Sequence, residues 1–430
     1  IQQPGKPEPP VMPSTSPLLT LKIDRIAHGG DGIGTDADGR VVFVRGAVPG
    51  DTVLAHVTQA KKRWARAELD EIVSVSDLRV PHACPAAAAG AGCCDYSHID
   101  PAAQLGLKLE VLAGQLRSLA KGSTVFDGTV FAPGIQSAIE TIGLQPHQGW
   151  RTRVRLGVDA EGRAGVRRAR SNDVVASEQC TQPVEGLLDG LVGEQRFTPG
   201  SEVVAVRDSE AARHVVEIAR SPRGCRAESV TTVKGGSGEV VEHLESPAGH
   251  HAFRFPATAF WQAHKAAPQH YADVIREWGA ANYSRETAWD LYGGVGAFVP
   301  AIHAATGGSR IHTVDSSAAA TSETQDALAG MPVEVHQGRV EGAVDKLEAP
   351  GLVVLDPPRA GAGETVVSAV AAASPERVIH IGCDPATLAR DLAAWGRGGY
   401  AVSRMMLVDA FPATHHFETL VLLEPRAPKR

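Results

Sequence analysis

No run of about 20 consecutive apolar residues occurs anywhere in the 430-residue chain, so nothing in it reads as a membrane-spanning helix. The opening segment, IQQPGKPEPPVMPSTSP, has neither the apolar core of a signal peptide nor the Arg-rich amphipathic pattern of a transit peptide, and residues 1–17 read as a disordered tail. Cysteine is scarce. Of the six, Cys84, Cys93 and Cys94 lie together while Cys180, Cys225 and Cys383 are scattered. Without a secretory signal such a set is no disulfide framework, and a reducing, cytoplasmic setting with metal-binding or catalytic thiols is expected. An excess of basic residues is missing too: 42 Lys and Arg face 49 Asp and Glu, a net charge of −7, which argues against a protein that coats nucleic acid indiscriminately.

The charge that is present is unevenly placed. RTRVRLGVDAEGRAGVRRAR holds Arg151, Arg153, Arg155, Arg163, Arg167, Arg168 and Arg170 against Asp159 and Glu161, and KKRWAR sets Lys61, Lys62, Arg63 and Arg66 around Trp64. Either cluster alone reads as a solvated face. Two of them in strand-like segments, one beside a stacking aromatic, point to contact with a phosphate backbone.

The length suggests two or three domains. Residues 18–79 form closely spaced Val- and Leu-rich strands between Gly and Asp turns, as in a small OB-like β-barrel. Residues 80–255 begin with the cysteine stretch, continue with DPAAQLGLKLEVLAGQLRSLA at helical spacing, become β-rich, and carry the Arg cluster. Residues 256–430 alternate strands with helices, which predicts an α/β, Rossmann-like domain with a mostly parallel sheet covered on both faces.

Within that last part, ETAWDLYGGVGAFVPAI runs strand, glycine turn around Gly294, helix. The next strand ends in Asp315, about 20 residues on, where an acid can bind ribose hydroxyls. The dinucleotide fingerprint G-x-G-x-x-G is incomplete, because Val299 stands at the third glycine. S-adenosylmethionine, which has no pyrophosphate, suits the turn better than a nicotinamide. LVVLDPPRAG ends a third strand in Asp356, held at the strand edge by Pro357 and Pro358. RVIHIG delivers Cys383 to the same edge, with Arg390 following as a cation that would favour the thiolate. An isolated cysteine is most often buried and inert; at the mouth of a methyl-donor site it reads as a nucleophile. C5 of a pyrimidine is too poor a nucleophile to take a sulfonium methyl group, and addition of a thiolate to C6 makes it enolate-like. A base must then remove the C5 proton. In DAFPATHHFETLVLLE, which also offers His415 and His416, that base is Glu418, a carboxylate whose pKa partial desolvation would raise.

These motifs together resemble the uridine-C5 RNA methyltransferases, in particular the branch with an N-terminal TRAM domain. FWQAH is similar to the family's F-x-Q-x-N, DLYGGVGAF to D-L-Y/F-C-G-x-G-x-F, and LDPPRAG to D-P-P-R-x-G. GCDPATLARDL and DAFPATHHFET resemble its two remaining motifs. The resemblance implies methyl transfer to C5 of a uridine in RNA, ribosomal rather than transfer RNA, through a covalent Cys383–C6 adduct with Glu418 as proton acceptor. It implies Gln262, Tyr292, Asp315 and Asp356 as cofactor contacts beside Gly294, and residues 18–79 as the TRAM module, with Lys62, Arg63 and Trp64 on RNA alongside Arg151, Arg153, Arg167 and Arg168. His264, Ala297, Arg339 and Asp384 depart from the family's pattern. Many members bind a [4Fe-4S] cluster through an early cysteine stretch and a later fourth cysteine, which here are Cys84, Cys93, Cys94 and Cys180. The adjacent pair Cys93 and Cys94 departs from the usual spacing, and zinc or plain thiols are the alternatives. Cys225 reads as structural, and the protein as a monomer. The competing readings are an RNA-binding protein with a degenerate transferase domain, and a methyltransferase acting on another base.

Overall fold

The computed structural model describes residues 18–120, 123–126, 135–220, 229–317 and 325–426. The proposed tail and Cys225 lie outside them. The chain divides into two compact units, Ile1–Arg79 and Val80–Arg430.

In the first unit, apolar residues alternate along each strand, so one face of a six-stranded sheet buries Leu21, Val42, Val44, Val53, Ala55, Ala65 and Ala67. Its spatial order is Leu18–Lys22, Thr52–Ala60, Trp64–Ser74, Val41–Arg45, Gly32–Thr35, Arg25–Ile26. The fully buried Asp51 closes its end. It accepts the N–H groups of Val48 (2.8 Å) and Ser76 (2.9 Å) and pairs with Arg79 Nη2 at 2.6 Å. Burial alone would raise this carboxyl, but the guanidinium and the two amides hold it below its ordinary value.

The second unit holds an eight-stranded sheet in the order Val333–Gln337, Arg310–Asp315, Thr287–Leu291, Leu352–Leu355, Arg377–Gly382, Glu418–Pro425, Tyr400–Asp409, Glu140–Gly143. The first five are parallel to one another, as the strand–helix alternation predicts. Glu418–Pro425 is antiparallel to both its neighbours. The strands are almost wholly apolar because both faces are covered, by helices that include Ala267–Gly279, Gly363–Ala372 and Pro385–Arg397. A second, wholly antiparallel sheet carries Val174–Val175, Ala164–Arg167, Arg153–Val158, Glu202–Arg207, Arg213–Arg220 and Ser229–Gly235.

The boundary expected at residues 255 and 256 is not where the structure divides. Glu140–Gly143 forms the last strand of the large sheet, parallel to Tyr400–Asp409, and the helix Pro101–Leu119 packs against Pro385–Arg397. The hairpin Glu239–Ser246/Gly249–Pro256 gives Val240, Leu244, Phe253 and Phe255 to the same core as Trp278 and Ile379. Beneath the helix Pro101–Leu119, the fully buried Lys108 Nζ bonds Asp409 at 2.7 Å and the Phe411 carbonyl at 3.1 Å. A sequence boundary drawn from local patterning could not register a contact between residues so far apart in the chain.

Candidate active site

The site lies at the carboxyl ends of the parallel strands, the edge where open α/β sheets bind ligands. Thr287–Leu291 ends in Tyr292, which takes a left-handed φ of 63°, strained for a residue with a side chain. Gly293 follows, and a Cβ there would lie 2.4 Å from both Asp290 Oδ2 and Thr313 Oγ1, so only glycine lets the turn close onto the neighbouring strand. Gly294 is open, with nothing within 4 Å of a Cβ built on it. Its N–H donates to Asp315 Oδ2 at 3.0 Å, while the Ser317 N–H donates to Asp315 Oδ1 at 2.6 Å. The carboxylate is thereby fixed at the end of its strand.

Asp356 emerges beside Tyr292, its N–H bonded to the Leu291 carbonyl at 3.3 Å, and Gln262 Nε2 lies 3.5 Å from its Oδ2. Cys383 follows directly on the strand Arg377–Gly382, and Glu418 opens the antiparallel strand beside it. The last register pair is Gly382 with Thr419, so Cys383 and Glu418 are each the next residue beyond it. A single cavity of about 660 Å³ is lined by Gln262, Tyr292, Gly294, Asp315, Asp356, Cys383 and Glu418. All five expected cofactor contacts and both expected reactive groups therefore face one space, whose size suits a nucleoside-bearing ligand.

The electrostatics are those of acids kept from water. Burial, then the charge of Asp356, pushes the Glu418 carboxyl well above its ordinary range, against the opposing pull of Arg359. Glu418 Oε2 is buried without a hydrogen-bond partner among the described residues, a carboxyl oxygen left available to a substrate. Burial likewise raises Asp356. Burial followed by the charges of Glu418 and Asp356 pushes the Cys383 thiol up to about 12, and Arg359 pulls it down. The cation beside the thiol is thus Arg359 and not Arg390, whose Nε turns back along its own helix to the Ala386 carbonyl.

Other groups at this cavity had not been singled out as site residues. Phe260, 73% exposed, stands at its rim, and Phe411 and His416 line its wall. Their signal was present, since Phe260 opens FWQAH and the other two fall within DAFPATHHFET. Arg359 Nη2 lies 3.3 Å from His416 Nε2.

Comparisons with known proteins point to RNA (uracil-C5) methyl transfer. A family model described as tRNA (Uracil-5-)-methyltransferase matches residues 319–426, and one for the TRAM domain matches residues 18–69. An RNA methyltransferase of Corynebacterium efficiens is 49% identical over 410 residues, covering 94% of this chain and 93% of that protein. The chain belongs to the uracil-C5 RNA methyltransferase family. A Halomonas elongata member of lower identity, 28% over 94% of this chain and 89% of its own length, is named 23S rRNA (uracil(1939)-C(5))-methyltransferase RlmD. In fold, the enzyme matches Pyrococcus abyssi tRNA (uracil-54, C5)-methyltransferase, solved with S-adenosyl-L-homocysteine, at a TM-score of 0.68 and 19% identity over 94% of this chain and 99% of that one. The protein is an S-adenosylmethionine-dependent methyltransferase acting on uracil C5 in RNA.

The expected RNA contacts separate. Lys62 and Arg63 are exposed in the turn between Thr52–Ala60 and Trp64–Ser74, with Trp64 edge-on to Phe43 at 6.5 Å. Arg167 reaches the surface of the second unit and shares Glu202 with Arg155, at 2.8 and 2.7 Å. Arg168 donates to the Ala89 carbonyl at 3.0 Å. Arg153 is a correction: its side chain is 11% exposed, lies over Phe255 and donates to the Ala259 carbonyl at 3.0 Å, so it holds the hairpin and cannot grip a backbone. Arg151 faces the catalytic cavity on one side and, on the other, a neighbouring basic hollow of about 390 Å³ containing Arg155, Arg167, Arg168 and Arg170.

Cys84, Cys93, Cys94 and Cys180 do meet, their four sulfurs all within 4.8 Å of one another. The neighbours Cys93 and Cys94 turn to the same partner, Cys180, at 3.5 and 3.3 Å, despite being adjacent in the chain. Four thiols gathered this closely form a donor set for a metal centre.

Proposed function

We propose that Cys383 is the nucleophile and Glu418 the proton acceptor of this methyltransferase, and that its substrate is a uridine of ribosomal RNA. The observation that supports the roles is that Cys383 and Glu418, each one residue beyond the last pair of the ladder between their strands, line the same cavity as Gln262, Tyr292, Gly294, Asp315 and Asp356. Gln262, Tyr292, Gly294, Asp315 and Asp356 would hold S-adenosylmethionine, with the Asp315 carboxylate placed for ribose hydroxyls. Bound there, it supplies an electrophilic methyl group on a sulfonium.

The thiolate of Cys383 bonds to C6 of the uracil, and the electrons of the C5–C6 double bond make C5 nucleophilic. Arg359 offsets the negative charge that gathers around the sulfur, Asp356 and Glu418. Once C5 is methylated, Glu418 takes its remaining proton, the double bond re-forms, and the C6–sulfur bond breaks to release the thiolate. The raised basicity of the buried carboxyl favours that last transfer. A base in a helical RNA cannot reach Cys383, so the uridine arrives unstacked, and the exposed ring of Phe260 offers it a face at the cavity rim.

Support for ribosomal RNA comes from the TRAM module and from the activity named for the Halomonas relative. The basic hollow reached through Arg151 supports passage of the flanking phosphates on that side of the cavity. The experiment is nucleoside mass spectrometry of separated rRNA and tRNA from a strain lacking the gene, followed by mapping of the lost 5-methyluridine. Loss from tRNA alone would refute the ribosomal assignment. A 5-fluorouridine RNA carrying the mapped site should trap a covalent adduct with the wild-type protein and none with Cys383→Ala.

A further inference from the structure

We infer that Cys84, Cys93, Cys94 and Cys180 hold one tetrahedral zinc ion in place of an iron–sulfur cluster, and that this ion anchors the loop leading to Glu418. At a Zn–S distance of about 2.3 Å, four thiolates around one ion stand roughly 3.8 Å apart. The sulfurs here are already within 4.8 Å of one another, with Cys180 at 3.5 Å from Cys93 and 3.3 Å from Cys94. A cubane would have to push them out onto a larger tetrahedron.

The surroundings oppose such an expansion. Cys84 and Cys94 are fully buried in a cluster with Ala86, Ala91 and Val175. The cysteine loop is tied down at several points: the Gly92 N–H donates to the Arg167 carbonyl at 3.0 Å, Gln182 Nε2 to the Cys93 carbonyl at 2.9 Å, and the Ser97 N–H to the Cys94 carbonyl at 3.0 Å. A Cβ on Gly92 would lie 2.8 Å from the Ala169 backbone, so the loop sits directly on its neighbour. Thiolates in this pocket would need a cation, and Arg151 supplies one. It lies on the same hollow as Cys93 and Cys180, stacks on Trp150 and donates to Gln182 Oε1 at 3.3 Å, with no carboxylate in ion-pair contact among the described residues.

The metal loop is also a bearing surface. Asp95, next after Cys94, accepts the His415 N–H at 3.0 Å and bonds its ring Nδ1, and the Tyr96 N–H donates to the Ala413 carbonyl at 3.0 Å. The segment that ends at Glu418 therefore rests on the residues that follow a metal ligand. Zinc here is a positioning element with no part in bond making.

The test is metal analysis of the full chain, purified without oxygen from cells supplied with both zinc and iron. One zinc per chain without acid-labile sulfide is expected, and a Cys180→Ser variant should lose at least half of it. Because zinc can enter an iron–sulfur site during production, metal-stripped protein is also offered ferrous iron, sulfide and a thiol reductant without oxygen. Assembly of a sulfide-containing cluster at four irons per chain, the count of a [4Fe-4S] centre, would overturn the assignment, as would a wild-type chain that carries no metal. Removing zinc should raise amide hydrogen exchange over residues 411–417 by about tenfold or more, as expected for a loop that loses its support. Unchanged exchange would refute the anchoring.

Discussion

Thiol chemistry at Cys383 gives the most direct check on the site. Burial and two neighbouring carboxyls push this thiol from an ordinary 9.0 to about 12. The difference of three pH units means that, below pH 9, the free protein holds about a thousandfold less thiolate than an unperturbed cysteine, because thiolate fraction falls tenfold per unit. The perturbation is Glu418→Gln, which removes the largest opposing charge while keeping the shape of the side chain. The assay follows alkylation of Cys383 by iodoacetamide from pH 6.5 to 9.5, resolved by peptide mass spectrometry. In the wild type the rate should rise about tenfold per pH unit across the whole range, with no plateau. The variant should react faster at every pH, and Arg359→Met more slowly, since Arg359 stabilises the thiolate. A wild-type plateau near neutral pH would show a thiolate already formed in the empty site and would refute the account of its environment.

With RNA and S-adenosylmethionine, Glu418→Gln should form the covalent adduct and release it slowly, so that denaturing gels show protein–RNA complex accumulating; undiminished product formation would remove Glu418 from the base role. Lys108→Met should cost about 3–5 kcal/mol in denaturant unfolding by stranding the buried Asp409 carboxylate, and a loss below about 1 kcal/mol would mean the pair is not a support. In the first unit, the lowered pKa of Asp51 supplies stability that is present above the unfolded carboxyl value near 3.9 and fades as pH falls through the folded value. Asp51→Asn should remove that part of the acid dependence, measurable as a flatter melting temperature between pH 5 and 3. Neutralising Arg167 and Arg168 together should weaken RNA binding and lower the slope of log affinity against log salt by about one to two; an unchanged slope would return them to a solvated face.

The sheet edge was legible because each strand announced its end. A glycine turn after Leu291, an acid after Val314, two prolines after Asp356 and an Asp–Pro after Cys383 all fix which side chains reach the sheet edge, and the groups they carry share one cavity. What stayed hidden depended on long-range contact or on direction. Arg390 and Arg359 are equally basic in the sequence, and only the return of the chain after Pro358 brings the latter to the sulfur. The alternating arginines of RTRVR read as one surface, but the hairpin ending at Pro256 covers Arg153 and leaves Arg155 with a side chain 53% exposed. The convergence of Cys180 on residues so distant in the chain came from the resemblance, since periodicity carries no such information.

The ion pair between Lys108 and Asp409 bears on how this enzyme can be divided. A fragment starting at residue 256 would contain every group assigned to methyl transfer and still lack the ammonium beneath Asp409, the strand that covers Tyr400–Asp409, and the helix Pro101–Leu119. Its outermost strand would offer unsatisfied amides to any passing chain, and a charge would sit stranded beneath the catalytic wall. Autonomy in this fold therefore begins near Val80, about 300 residues before the reactive Cys383.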